Sequence, residues 1–248
     1  MNPDIREFYK NNSYALIKNF FSEQEVSDIR SWAIEMQTWD EVPGKWMKYF
    51  ETKNGNRLPV RLENFINYHP KVKNFLEDKL KLLLEDLTGE EMVLFKDKLN
   101  WKLSGGSGFK SHQDHPAWDD FPISIFISMA IFVDDNTLEN GCLEISGGKH
   151  NKIYDNEYDK GGGIIKSIEE NMDWTPLLST SKDLLIFNSF VPHKSGPNTT
   201  ENHRRIYYFT FNKKTEGSFY ERYNKRKREL LPPDIEKVIS KNYNINNK

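Results

Sequence analysis

The spacing of apolar positions changes character near Gly89. Before that point two segments repeat with the period of a helix. The first opens on Ser22, which forms a capping box with Glu25, while Phe21 staples against Val26. Val26, Ile29, Ala33 and Met36 then lay one apolar stripe along a helix ending near Trp39. The second starts at Pro70, a residue suited to a first helical position, and carries Val72, Phe75, Leu76, Leu80, Leu83, Leu84 and Leu87 on one face until Gly89 stops it. After Gly89, short runs rich in branched and aromatic residues alternate with Gly, Asn, Asp and Pro. They predict strands over 92–103, 108–114, 123–134, 141–146, 175–180, 183–188 and 204–212. Short strands with no long helices between them imply an antiparallel sandwich or barrel rather than a parallel α/β sheet.

Two stretches fit neither period. Residues 152–174 contain Gly161-Gly162-Gly163 and read as a long mobile excursion, a candidate lid. Beyond Lys213, Tyr220, Arg222, Tyr223 and the basic run Lys225 to Arg228 read as a surface helix whose charges are solvated beside Glu221 and Glu229. No repeat or linker divides the chain. We read residues 1–248 as a single domain, mainly β, with helices 22–39 and 70–87 packed on a barrel and a helical tail over 217–248.

Composition narrows the function. With 35 Lys+Arg against 37 Asp+Glu the net charge is −2, which argues against a chain whose main task is to grip nucleic acid or an anionic membrane. An aromatic share of 13% separates it from disordered chains. The single cysteine, Cys142, excludes an internal disulfide and a cysteine-cluster zinc site, and it suits a reducing, cytoplasmic setting. The start, MNPDIREFYKNNSYAL, has no targeting pattern, and the longest apolar run, Ile123 to Val133, is too short to span a bilayer. The expected partner is a small molecule, with no nucleic acid and no membrane; the oligomeric state is left open.

His112-Gln113-Asp114 is the most informative local feature. In a strand, residues two apart share a face, so His112 and Asp114 can offer an imidazole and a carboxylate to one point. On its own such a pair is as readily a hydrogen-bonded couple at a barrel rim. A third candidate, His193, follows the apolar strand Leu184 to Phe187. Two His and one carboxylate can hold one face of an octahedral ion and leave the rest open, the ligand set of non-haem Fe(II) oxygenases. Zinc is the competing metal, but a structural zinc site is normally closed by a fourth protein ligand. An oxygenase using 2-oxoglutarate also needs a cation for the distal carboxylate. Arg204, at the start of the last predicted strand, can supply a planar fork, while Arg205 must face the other way.

These residues resemble those of the phytanoyl-CoA dioxygenase family of Fe(II)/2-oxoglutarate oxygenases from about Phe20 to Asn212. The likeness is carried by His112-Gln-Asp114, by Glu139-Asn-Gly-Cys-Leu-Glu144 running into Gly147-Gly-Lys-His150, and by His193-x-Ser195-x-x-Asn198 followed by Arg204. The resemblance implies a double-stranded β-helix, or jelly-roll barrel. It also implies that His112, Asp114 and His193 ligate Fe(II), and that Arg204, Ser195 and Asn100 hold 2-oxoglutarate, with O2 as the third reactant. Within the family the chain is similar to bacterial enzymes that hydroxylate 2-aminoethylphosphonate or its trimethylammonium analogue. The supporting stretches are Arg61-Leu-Glu-Asn-Phe65, Phe95-Lys-Asp-Lys-Leu-Asn-Trp-Lys102, Gly105-Gly-Ser-Gly-Phe109 and Asn188 to Asn198.

A phosphonate dianion calls for Arg or Lys, and Arg61 and Lys102, with Lys96 and Lys98, are the candidates; an ammonium calls for an aromatic face or a carboxylate, and Trp118 and Asp119 follow the metal motif. Each also has an ordinary structural reading, Lys as edge protection and Trp118 as core or lid. The expected reaction is hydroxylation of an unactivated C–H of a small polar zwitterion, 2-oxoglutarate leaving as succinate and carbon dioxide. Two alternatives stand beside it: an oxygenase of an amino acid or natural-product intermediate, which could also desaturate or cyclise, and a barrel that binds metal or a small molecule without turnover.

Overall fold

A computed structural model describes residues 2–154 and 163–238. The chain opens with helix α1 (Pro3–Asn12), strand β1 (Tyr14–Ile17) and helix α2 (Glu23–Thr38). In α2 the Ser22–Glu25 capping box is formed in both directions, and Val26, Ile29, Ala33 and Met36 are its buried residues. A hairpin follows, β2 (Met47–Lys53) and β3 (Asn56–Glu63), turning on Asn54 and Gly55 with φ of 50° and 78°. Two positive φ values make the tight turn whose twist matches that of paired strands. The second helical stretch runs through α3 (Pro70–Phe75), a π-helical turn (Leu76–Lys81) and α4 (Leu82–Thr88), and ends on Gly89 in the left-handed conformation.

The rest of the framework is β4 (Met92–Lys102), β5 (Phe109–His112), β6 (Ile127–Phe132), β7 (Leu143–Ile145), α5 (Lys166–Glu169), β8 (Thr175–Pro176), β9 (Leu184–Asn188), β10 (His193–Ser195), β11 (Arg204–Lys213) and α6 (Tyr220–Leu230). The strands form a seven-stranded sheet in the order β1-β9-β6-β11-β4-β3-β2 and a four-stranded sheet in the order β5-β10-β7-β8, every pairing antiparallel. This is the double-stranded β-helix. Among the described residues no helix is long and apolar enough to cross a membrane.

Period-two alternation sorts the large sheet into two cores. Ile127, Met129 and Ile131 of β6 and Tyr207, Phe209 and Phe211 of β11 face the helices, joining Leu62, Leu99, Leu80 and Met36. Their neighbours Ala130, Phe132 and Ile206 turn inward, where they meet Leu143 and Ile145 of the small sheet and Phe187 of β9. The interior is therefore half apolar; along β4 it becomes cationic, because Lys96, Lys98, Asn100 and Lys102 lie opposite Thr210, Tyr208, Ile206 and Arg204.

Four strands, β1, β2, β3 and β10, and the helices α1 and α5 carry no expectation from the sequence. Their residues alternate weakly, and β2 and β3 are half-exposed, so the period that marks a strand is diluted. The tail departs from a solvated surface helix. Tyr220 and Tyr223 are buried, the Tyr220 hydroxyl donates to Asp97 at 3.0 Å, and the Lys227 ammonium lies 3.9 Å from buried Glu63. Aromatic anchoring to β3 and β4 turns α6 into a wall of the barrel mouth. Residues 239–248 of the expected tail and 155–162 of the candidate lid lie outside the described residues.

Candidate active site

The metal candidates are set by one strand pair. β10 lies between β7 and β5, and its register places His193 directly opposite His112. Their ring centroids are 4.1 Å apart. Asp114, just beyond β5, turns back so that its Oδ1 is 3.9 Å from Nε2 of each histidine. One ligand atom from each of the three lies within 4.8 Å of the others. The far ring nitrogens are tied down: His112 Nδ1 lies 2.8 Å from the Lys110 carbonyl and His193 Nδ1 lies 3.0 Å from that of Val191. A carbonyl accepts only, so each Nδ1 carries the proton and each Nε2 presents its lone pair to the common centre. Burial, with His193 alongside, pulls His112 down to about 4, keeping it in the neutral form that can bind a metal at physiological pH. Burial pushes the Asp114 carboxyl up, but His193, His112 and the lysines Lys98 and Lys96 outweigh it and hold it ionised. Two neutral imidazoles and one carboxylate fit a divalent ion.

Gln113, between His112 and Asp114, is buried. Its amide nitrogen donates to the carbonyls of Lys152 and Phe190, at 2.9 and 2.5 Å, and its oxygen accepts from Tyr154 N at 2.8 Å. On the other edge, Gly163 bridges to His112 and Ile164 N donates to the Ser111 carbonyl. Both described flanks of the 152–174 segment are thus fastened to residues 111–113.

A second group lies where β4 and β11 begin to diverge. Arg204 is 5% exposed; its Nη1 donates to Asn136 Oδ1 at 2.8 Å, and its buried Nε has no partner. Arg205 faces outward onto Asp134, with Nε and Nη2 at 2.8 and 2.7 Å. Lys102, opposite Arg204 in register, donates to Ser195 Oγ at 2.8 Å, Gly196 O at 2.5 Å and Gly141 O at 3.3 Å. Burial and the neighbouring Arg204 pull Lys102 down to about 7. Asn100, one step along the same face, has a buried Oδ1 without a partner. The buried Nε of Arg204 keeps a free donor, and a carboxylate is an acceptor that can take it up. The structure thus places Lys102 opposite Arg204 and in contact with Ser195, with Asn100 two residues along the same strand, opposite Ile206 and Arg61.

A third group sits further along β4. Lys98 and Glu63 are register partners, as are Asn100 and Arg61. Glu63 is fully buried; Tyr223 donates to its Oε2 at 3.1 Å, Arg61 Nη1 and Lys227 Nζ lie 3.6 and 3.9 Å from its Oε1, and that oxygen makes no hydrogen bond. Burial opposes the charge, but Lys227, Lys96, Arg61 and Lys98 pull the Glu63 carboxyl to about 2. Trp118 belongs to an aromatic cluster with Phe95, Phe121 and Phe126, with Lys96 Nζ 5.2 Å above its ring. Asp119 is exposed.

The glycines of the motifs have steric reasons. A Cβ on Gly108 would strike the Ser195 carbonyl, and one on Gly141, which has a φ of +69°, would strike the carbonyls of Gly196 and Pro197. Asn198 is a staple, its amide donating to the carbonyls of Lys102, Leu103 and Asn202. Asn136 and Tyr208, which contact Arg204, were not foreseen; the polar Asp134-Asp135-Asn136 break after the apolar strand was the available signal.

Residues 9–206 match the family described as phytanoyl-CoA dioxygenase (PhyH). The chain belongs to that family. It is accordingly a 2-oxoglutarate-dependent dioxygenase using Fe(II) and O2. It is 42% identical over 239 residues, 95% of this chain and 90% of the relative, to 2-aminoethylphosphonate dioxygenase of Uncultured bacterium HF130_AEPn_1. It is 35% identical over 221 residues, 89% and 84% of the two chains, to methylphosphonate hydroxylase of Gimesia maris. Among solved structures, EctD from S. alaskensis with 2-oxoglutarate and 5-hydroxyectoine superposes with a TM-score of 0.73 at 18% identity, covering 87% of this chain and 77% of EctD. The epimerase SnoN in complex with Fe3+, alpha ketoglutarate and nogalamycin RO gives 0.71 at 16% identity, covering 86% and 83%. At these identities the two structures establish the shared fold.

Proposed function

We propose that this dioxygenase hydroxylates an unactivated C–H of a small phosphonate, with 2-aminoethylphosphonate as the leading substrate, in the cytoplasm. The observation that carries this reading is the 42% identity to a 2-aminoethylphosphonate dioxygenase across 95% of the chain. A second phosphonate enzyme at 35% identity points to the same chemical class.

In this reading His112, Asp114 and His193 hold Fe(II) through Nε2 and carboxylate atoms that the backbone has already oriented. Arg204 receives the distal carboxylate of 2-oxoglutarate, with Lys102 beside it and Ser195 and Asn100 flanking. Bound Fe(II) and 2-oxoglutarate supply oxygen activation, 2-oxoglutarate leaving as succinate and carbon dioxide. The chain's own share is to place the target C–H and to keep stray donors away. The apolar wall of Leu143, Ile145, Leu185 and Phe187 against His193 serves the second task.

The test is anaerobic reconstitution with Fe(II) and 2-oxoglutarate, followed by air and a panel of phosphonates, amino acids and small alcohols read out as succinate. Succinate release stimulated by 2-aminoethylphosphonate is expected. Stimulation by an amino acid with silence from every phosphonate would replace this reading with the amino-acid one, and silence from the whole panel would overturn the phosphonate reading.

A further inference from the structure

The interior face of β4 presents three lysines, and they do not have the same surroundings. Lys102 is saturated with acceptors next to Arg204. Lys96 and Lys98 have none: among the described residues their ammoniums meet only ring faces, Lys98 at 4.5 Å over Tyr208, and Lys96 at 5.2 and 5.4 Å over Trp118 and Tyr223. Neither is packed away, since both remain partly open to solvent. Arg61 and Lys227 flank them, so four cations gather around the single carboxylate of Glu63. Glu63 itself is sealed, with no exposed surface through which it could meet a ligand. The group therefore carries more positive than negative charge, on a wall close enough to the candidate metal ligands for Asp114 to act on Lys98.

Gathering like charges with too few acceptors is unfavourable, and structures that retain the arrangement at a cleft generally do so for an anion. We propose that Arg61, Lys96 and Lys98 form the subsite for the doubly charged acid group of the substrate, with Glu63 behind them as the counter-charge that holds Arg61 and Lys227 in place. The inference rests on the phosphonate reading for the identity of the acid, and on the charge geometry alone for its location. It separates the two anions of the reaction along one strand: the 2-oxoglutarate carboxylate at Lys102 and Arg204, the substrate acid at Lys98 and Lys96. It also removes Lys102 and Trp118 from substrate recognition.

The experiment is calorimetric titration of 2-aminoethylphosphonate, methylphosphonate, and sulfonate and carboxylate analogues into oxygen-free protein carrying Fe(II) and 2-oxoglutarate. Wild type is compared with Lys98→Met, Arg61→Met and Lys98→Arg, and each variant is checked by thermal melting. Removing one partner of a desolvated charge pair should weaken phosphonate binding by about 30-fold or more in Lys98→Met and Arg61→Met, with partial recovery in Lys98→Arg and 2-oxoglutarate affinity within about 2-fold of wild type. If either Met variant fails to fold, Lys96→Met is read in its place. Wild type binding phosphonate while the variants bind it equally well overturns the subsite and leaves the substrate reading standing. Wild type ignoring phosphonates but binding a carboxylate or sulfonate that Lys98→Met loses overturns the substrate reading and leaves the subsite standing. No acid of the panel binding to wild type overturns both.

Discussion

Two groups of cations lie along the same face of β4, two to three residue pairs apart, and they are held in opposite ways. Lys102 and Arg204 are fastened by Ser195, Gly196, Gly141 and Asn136, so their positions are set before any ligand arrives. Lys96 and Lys98 rest on aromatic faces and make no hydrogen bond among the described residues. The first arrangement suits a co-substrate shared across a family, bound in one pose in every turnover. The second leaves the acceptor to be supplied by the ligand, which suits the part of a pocket that differs from one family member to the next. The candidate ligands His112 and His193 are oriented by backbone carbonyls rather than by either cation group.

The largest effect should come from the candidate metal ligands. His193→Ala or Asp114→Ala removes one of three ligands, and succinate formation should fall by at least about 1000-fold with loss of tight Fe(II) binding; succinate release that survives would remove that residue from the ligand set. Next is the fastened group. Arg204→Met should raise the KM for 2-oxoglutarate by about 100-fold, because a bidentate charge-assisted pair is lost from a buried site, and steady-state kinetics at saturating phosphonate will read it. Equal losses of affinity for both anions would erase the distinction drawn here.

The support of that group can be tested through the backbone. Gly141→Ala puts a methyl group against the Gly196 and Pro197 carbonyls at a left-handed position, so it should destabilise the fold by about 2 kcal/mol or more and weaken 2-oxoglutarate binding with it. Melting curves with and without 2-oxoglutarate separate the two effects. A variant as stable as wild type would mean that the strand end can move freely.

The smallest effect concerns the loose group and has a definite sign. Burial, with Lys96 and Arg61 nearby and against the pull of Asp114 and Glu63, draws Lys98 down to about 7. At pH 8 the free side chain is therefore mostly neutral, and an arriving anion restores its charge. Binding should take up as much as about one proton, and affinity should fall as pH rises past 7. Calorimetry at pH 8 in buffers of different ionisation heat measures this directly; proton release on binding would contradict it.

How much of this was legible beforehand depended on whether a residue's role lies in local pattern. Helix α2 was readable because its cap and its stripe are consecutive, and His112 and Asp114 stood out by their spacing of two, although β5 ends at His112 and Asp114 reaches it from the turn that follows. Arg204 and Arg205 separated correctly for the same reason. The hairpin β2–β3 was not read despite its Asn54-Gly55 turn, since polar and half-exposed residues hide the alternation on either side. Lys102 was grouped with Arg61 because alternation gives only a face. Which end of a long strand meets which partner is decided by register with β11 and β3. Lys227 was read as solvated because nothing local to its helix reveals a buried carboxylate 164 positions earlier, at Glu63.

The most direct test of the account is a crystal structure of the Mn(II)-substituted protein with 2-oxoglutarate and 2-aminoethylphosphonate bound. It should show the metal held by His112, Asp114 and His193, the distal carboxylate of 2-oxoglutarate on Arg204, and the phosphonate oxygens on Lys98, Lys96 and Arg61. A phosphonate seated on Arg204 and Lys102, or a metal lacking any of the three ligands, would contradict it.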